Sequence, residues 1–114
     1  MPWLMSNARV LASADIADSP RQRSKGLLGR DSIDGALIIP RCRWVHTVGM
    51  RFDIDVAYVD ATNVVVKTET VRRHRVAMPV PKAQMVIEAA AGAFERWGLR
   101  VGDPVEVRVA EPDT

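Results

Sequence analysis

The stretch IDVAYVDATNVVVKTETV, residues 54–71, decides the fold class of this chain. Its two halves, Ile54–Asp60 and Val64–Val71, are rich in β-branched side chains, and residues 61–63 between them form a short turn. Two such runs joined by a short turn predict a β-hairpin. We therefore expect antiparallel strand pairing to dominate the fold.

Short apolar runs on both sides of this hairpin predict further strands. They are Arg9–Ala14, Gly35–Pro40, Met85–Ala90 and Val105–Val109. An extended course for residues 43–48 would place Trp44, His46 and Val48 on one face, because side chains alternate along a strand. Trp3 and Leu4 either anchor a first strand or lie on the surface.

Two short helices complete the predicted architecture. Ser19 and Pro20 form a typical helix start, which predicts a first helix over Pro20–Leu28 that Gly29 ends. A second helix is predicted over Ala93–Trp97. The predicted fold class is therefore α+β and β-rich: a curled antiparallel sheet or partly closed barrel, with one helix near the start and a short second helix.

The composition favours one globular domain over residues 1–114. The chain carries 16 basic and 14 acidic side chains, and a net charge of +2 is too small to imply a nucleic-acid partner. A single cysteine excludes an internal disulfide, and with it a disulfide-stapled secreted scaffold. No apolar run reaches the roughly 20 residues that a membrane-spanning helix needs, and the first residues lack a secretory-signal pattern. We therefore expect no membrane segment and a cytoplasmic location.

A predicted loop over Arg72–Gln84 begins with a run of basic residues and contains Pro79 and Pro81. Loops of this length are uncommon in small domains unless they cover or bind something. Nucleic-acid binding needs such charge together with exposed aromatic side chains. The chain has six aromatic residues, most of them in core-like contexts, so a nucleic-acid partner is not expected.

Residues 41–55 hold the densest group of chemically capable side chains, including Cys42, His46, Asp53 and Asp55. A Cys42–His46 nucleophile pair needs atoms about 3 Å apart, whereas residues four apart on a strand are separated by roughly 13 Å. No cysteines or histidines have the short spacing of a structural zinc site. We therefore predict no metal ion and no cofactor, and we interpret Cys42 as a small apolar residue.

His46 and Asp55 are a more informative pair. If residues 44–48 and 54–59 are neighbouring antiparallel strands, the two side chains would meet near one end of the sheet. A carboxylate beside an imidazole orients the ring and raises its pKa. Such a contact serves either as a structural tie or as a general base.

Four blocks of sequence carry a resemblance to a known family. They are Arg23 with the run Gly26–Arg30, His46-Thr47 with Gly49–Phe52 and Ile54–Val56, Val86–Glu88 with Ala91-Gly92, and Gly102-Asp103. From about Arg9 to Val109 the chain resembles the bacterial and archaeal domain of unknown function 192 family, in its His-Thr-x-Gly-Met-Arg-Phe branch. It departs from the family pattern at Asp53, where proline is common, and at Val65, near which glycine is frequent.

The resemblance implies a compact β-rich fold with a helix near its start, and no reaction, because the family has no established activity. It brings motif positions only: Gly26, Arg30, His46, Thr47, Met50, Arg51, Asp55, Glu88, Gly92, Gly102 and Asp103.

Three functions remain open. The first is a non-enzymatic binding module for a small polar or anionic ligand, with a cleft rimmed by the Arg72–Gln84 loop. The residues of that cleft would be Arg30, His46, Thr47, Met50, Arg51 and Asp55. The second is an enzyme in which His46 acts as acid or base, Asp55 orients it, and Arg51 or Arg30 faces a developing oxyanion. The third is a protein–protein adaptor that uses the loop or an open strand edge. The sequence leaves the ligand, the protein partners and the oligomeric state open.

Overall fold

A computed structural model describes residues 2–109 of the chain and contains seven strands and two short helices. The elements in chain order are β1 (Trp3–Ser6), β2 (Arg9–Ile16), α1 (Pro20–Lys25), β3 (Ala36–Pro40), β4 (Ile54–Val59), β5 (Val65–Val71), β6 (Met85–Ala90), α2 (Ala93–Trp97) and β7 (Glu106–Arg108). The predicted α+β class and the predicted hairpin are confirmed, the hairpin as β4 and β5.

All seven strands belong to one sheet, in the order β5-β4-β6-β3-β2-β1-β7. Five of its six pairings are antiparallel, as predicted, but β2 and β3 are parallel. Antiparallel pairing therefore dominates as expected, and the pair of β2 and β3 is the exception among the described strands. The physical reason is the connection, because the segment that contains α1 is long enough to carry the chain back to the same end of the sheet.

The sheet curls so that its two outer strands approach each other at one end. Val64, just before β5, forms an isolated antiparallel bridge with Pro104, just before β7. The Val65 amide donates to the Asp103 carbonyl at 2.9 Å, and the Val105 amide donates to the Asn63 carbonyl at 2.8 Å. The sheet is thus curled but not closed, because the outer strands are not paired along their length.

The core lies on both faces of the sheet. Every residue of β4 is buried, and its side chains alternate between two apolar clusters. One cluster joins Ile54 and Val56 to Leu27, which follows α1, and to Met50. The other joins the opposite face of β4 to Phe94 of α2. Since central strands buried on both faces have no solvent side, any polar residue in them needs a specific environment.

The predicted first helix and the predicted extended segment 43–48 differ from the structure. The first helix ends at Lys25 rather than Leu28, because Gly26 takes a positive φ of 51° and stops it three residues early. Residues 43–48 form no regular strand. Their side chains still alternate as predicted, with Val45 and Thr47 buried and Trp44, His46 and Val48 exposed. This segment instead pairs with the long loop through an isolated antiparallel bridge between His46 and Val76.

Candidate functional site

A small cavity lies where the end of α1, residues 41–50 and the middle of β6 meet. Its volume is about 60 Å³, and Glu88 of β6 contributes its polar inner wall. Its mouth is lined by Leu28, Trp44 and Val48, which are exposed apolar side chains. A space of this size accepts a few water molecules or a polar group of a few heavy atoms, not a drug-sized ligand.

The end of α1 brings the backbone close to this wall. Ser19 and Gln22 form a reciprocal capping box that fixes the start of the helix, and Gly26 ends it. A β-carbon added at Gly26 would lie 3.6 Å from Oε1 of Glu88, at a φ that side chains rarely adopt. Glycine therefore lets the chain turn directly over the carboxyl group.

Glu88 is the most unusual polar residue of the molecule. It is 4% exposed, and its Oε1 has no hydrogen-bond partner within the described chain, residues 2–109. Burial raises the pKa of this carboxyl from 4.5 to about 7, because the charged form loses its hydration. Burial thus favours the neutral form of Glu88, and its Oε1 is a buried oxygen without a partner in the wall of the cavity.

Arg23 and Cys42 are two further polar residues of this wall. The buried Nη1 of Arg23 also has no hydrogen-bond partner among residues 2–109. The Cys42 thiol donates to the Trp44 carbonyl at 3.2 Å. The pKa of the thiol is raised, and burial is the largest cause. The charge of Glu88 also raises this pKa, whereas the hydrogen bond to Trp44 and the charge of Arg23 lower it. Cys42 is therefore a neutral thiol rather than an activated nucleophile.

Two of the six predicted cleft residues, His46 and Met50, line the cavity. Thr47 lies beside it but is fully buried, and its hydroxyl donates to the Arg72 carbonyl and accepts from the Arg75 amide. It therefore ties residues 43–48 to the long loop instead of facing a ligand. His46 is exposed, with its ring centroid 5.5 Å from that of Trp44.

Asp55 does not meet His46, and the predicted contact between them is wrong. The neighbours of β4 are β5 and β6, not residues 44–48, and alternation places Asp55 on the sheet face opposite Val56 and the cavity. The carboxylate accepts hydrogen bonds from the Thr70 hydroxyl at 2.8 Å, the Gly92 amide at 3.0 Å and the Phe94 amide at 3.1 Å. Asp55 thus holds the start of α2 against the hairpin.

The two predicted arginines lie outside the cavity wall. Arg30 is exposed in the turn after α1, and Arg51 is exposed and paired with Asp31 at 2.7 Å. Asp31 raises the pKa of Arg51, through the hydrogen bond first and its charge second. An exposed pair of this kind contributes little to stability. Among residues 2–109, no group of three or more acidic, cysteine or histidine side chains could hold a metal ion.

Glu88 was predicted only as a motif position, and Arg23, Cys42 and Trp44 were not predicted to belong to the site. One sequence pattern could have identified Glu88: it is the only charged residue in the otherwise apolar run MVIEAA. A lone carboxylate in a strand buried on both faces needs an explanation. The convergence of Arg23 and Gly26 on that carboxylate depends on tertiary structure and leaves no local pattern.

Sequence comparison identifies the family. The sequence profile of the domain of unknown function 192 family, described as "Uncharacterized ACR", matches residues 4–107. The chain belongs to this family. A member from Thermococcus gammatolerans, known as a UPF0127 protein, is 30% identical over 103 residues, which cover 85% of this chain and 67% of that protein. The resemblance seen in the motifs is therefore confirmed, with a matched range slightly wider than predicted at the amino-terminal side.

Two crystal structures share the fold of this member of the domain of unknown function 192 family. A protein of unknown function from Novosphingobium aromaticivorans matches with a TM-score of 0.76 and 16% identity over 92% of this chain and 82% of the other. A candidate transcription regulator from Sinorhizobium meliloti matches with a TM-score of 0.78 and 20% identity over 93% and 91%. At these identities the likeness shows the fold alone.

One further property concerns membranes. Neither helix within residues 2–109 has the length and apolar character needed to cross a bilayer.

Proposed function

We propose that this chain is a non-enzymatic binding module that takes a small polar group into the cavity beneath α1. The observation that carries the proposal is the buried carboxyl of Glu88, a residue of the cavity wall, whose Oε1 has no hydrogen-bond partner in residues 2–109. A buried polar group left unpaired costs about 1–3 kcal/mol, and a ligand that pairs it recovers that energy.

The chemistry of the wall favours a group that both donates and accepts hydrogen bonds. Glu88 supplies the acceptor and Arg23 supplies the donor, and both atoms are unpaired within the described residues. A primary amide or a hydroxyl satisfies the two atoms together. An anion, the other ligand that the sequence predicts, must approach Glu88 and is favoured only when that carboxyl is protonated.

The apolar mouth supports a ligand with a polar end and an apolar body. Trp44 and Val48 are 45% and 52% exposed, so a ligand whose end enters the cavity would cover them. Apolar area removed from water contributes roughly 25 cal/mol per Å². The proposed location is the cytoplasm, which suits a chain with one cysteine and no internal disulfide.

Three small probes of nearly equal shape test the proposal: acetamide, acetate and acetamidinium. Each is titrated at pH 8.5 into labelled protein, and backbone amide shifts are followed by NMR. We expect saturable shifts at Glu88, Gly26 and their neighbours with acetamide, weaker shifts with acetate, and loss of the acetamide response in Glu88→Leu. Glu106→Gln, an exposed glutamate on β7, is the matched control.

A wild-type protein that responds to none of the three probes would refute the proposal and leave a cavity that holds only water. Tighter binding of acetate than of acetamide at pH 8.5 would refute the assignment of the ligand class.

Acid–base catalysis is the second candidate, and one observation favours it. The pKa of Glu88, about 7, lies where a general acid or base works well at neutral pH. In this case Glu88 takes the role that the sequence analysis gave to His46. A panel of ester and amide substrates should then reveal turnover with an ionisation near pH 7, and Glu88→Gln should abolish it. Absence of turnover across the panel would count against catalysis and not against binding.

A further inference from the structure

A second surface, which shares Trp44 and Val48 with the mouth of the cavity, concentrates exposed apolar side chains. Residues 43–48 and 75–80 run antiparallel as a ribbon, joined by hydrogen bonds from the Ala77 amide to the Val45 carbonyl at 3.1 Å and from the Val80 amide to the Arg43 carbonyl at 2.8 Å. The inner side chains of the ribbon are buried. Its outer face, which we call the ribbon face, presents Trp44, Val48, Val76 and Met78.

This surface is not the usual scatter of single apolar residues. Residues 2–109 contain eight large apolar side chains that are exposed, and four of them lie on the ribbon face. Leu28, a fifth, adjoins it, since a β-carbon added at Gly49 would lie 3.1 Å from its Cδ1. Val76 and Met78 are 63% and 74% exposed. Contiguous apolar patches on a protein surface mark interaction sites, whereas scattered residues do not.

The two segments that contain the ribbon carry charged side chains of one sign. Residues 41–51 and 72–82 contain seven basic and no acidic side chains, although the whole chain has 16 basic and 14 acidic ones. The rest of the chain is thereby left with nine basic and 14 acidic side chains, a net charge of −5. Within the described residues, only Arg51 and Arg73 of these seven form salt bridges. The free positive charge therefore complements an acidic partner.

The kind of partner follows from the residue types. Six of the seven basic residues are arginine, and they surround tryptophan, methionine and valine. Protein interfaces are enriched in arginine, tryptophan and methionine, and depleted in lysine. Nucleic-acid surfaces stack bases on several aromatic rings, whereas residues 2–109 expose a single tryptophan, tyrosine or phenylalanine ring, that of Trp44. We propose that the ribbon face docks an acidic segment of a partner protein that also presents apolar side chains.

The test selects peptides on the intact protein. A displayed library of random 12-residue peptides is panned against the wild type, and the enriched peptides are synthesised with a fluorescent label for anisotropy measurements. We expect enrichment of peptides that combine acidic with apolar residues. Their affinity should fall at least tenfold in the double variant Val76→Ser, Met78→Ser. It should also fall as sodium chloride is raised, because salt screens exposed charges.

Matched controls separate this interface from general stickiness and from the cavity. The variant Val10→Ser, Val101→Ser removes two exposed apolar side chains elsewhere and should leave peptide binding unchanged. Glu88→Leu should also leave it unchanged, because Val76 and Met78 do not line the cavity. The docking proposal can thus fail while the cavity proposal stands, and the cavity proposal can fail while the docking proposal stands. Melting curves verify that every variant is folded.

Four results would overturn the proposal. Enriched peptides without an acidic excess would remove the charge argument, and equal binding by the ribbon variant would place the site elsewhere. Binding to phosphatidylserine vesicles but not to acidic peptides, lost in the ribbon variant, would make the face a membrane contact. A dimer in light scattering that the same variant abolishes would make the occupant a second copy of this chain.

Discussion

Replacing Glu88 by glutamine should remove a pH dependence that this buried carboxyl gives to the stability of the fold. The pKa of Glu88 is about 7 in the folded chain, against 4.5 for an exposed glutamate. Between these values the folded chain keeps a proton that the unfolded chain has released. The stabilisation that Glu88 contributes is therefore complete below pH 4.5 and is lost as the pH rises through 7. Over this range the free energy of unfolding falls by about 1.4 kcal/mol per pH unit, or about 3 kcal/mol in total.

Urea unfolding of the wild type and of Glu88→Gln at pH 5, 6, 7 and 8 measures this effect directly. The difference between the two free energies of unfolding isolates Glu88, because the other titrating groups are common to both chains. We expect it to change by about 2–3 kcal/mol from pH 5 to pH 8, in favour of the glutamine variant. In Glu106→Gln, which changes an exposed side chain, the corresponding difference should stay flat. If the free energies of unfolding of the wild type and Glu88→Gln change in parallel with pH, water or a counter-charge reaches Glu88. That result would refute the predicted pH dependence.

Three further predictions concern the fold. Asp55→Ala should lower the free energy of unfolding by about 3 kcal/mol in urea titrations, because it leaves two amides at the start of α2 without their acceptor; a loss below about 1 kcal/mol would contradict this role. Gly35→Ala should have a much lower melting temperature than Gly102→Ala. Both positions have positive φ, but only at Gly35 would the new β-carbon lie 2.5 Å from a backbone oxygen, that of Ser13 in β2. Equal melting temperatures would show that β2 shifts to accommodate the methyl group. Ser19→Ala should cost about 1 kcal/mol and accelerate amide exchange in α1, because it removes the helix cap; unchanged exchange would mean that tertiary contacts alone hold the helix.

The local elements were predictable where neighbouring residues decide them. The strand propensities of residues 54–71 predicted the hairpin, and α2 was predicted at its observed bounds, Ala93–Trp97. The parallel pairing of β2 with β3 was not predictable in the same way. Strand propensity indicates that a segment is extended, but the choice of partner depends on the path of the connection and on the whole sheet.

The candidate site was predictable only in part, for the same reason. His46 and Met50, which the prediction assigned to a cleft, line the small cavity, and they belong to a segment whose alternation is readable from the sequence. Asp55 was misplaced, because strand residues one apart point to opposite faces and only the core decides which face is which. Glu88 shares the cavity wall with Gly26 and Arg23, more than sixty positions earlier in the chain, so no local pattern contains this arrangement.

The strand β1 has consequences for how this chain folds during synthesis. It lies between β2 and β7, and its pairing with β7 joins Trp3 to Arg108, 105 positions later. Contacts of such sequence separation slow folding, and until β7 is translated one side of β1 has backbone donors and acceptors with no strand beside them. Unpaired strand edges recruit other chains. A nascent chain halted before residue 104 should therefore aggregate more readily than the finished protein and depend more strongly on chaperones.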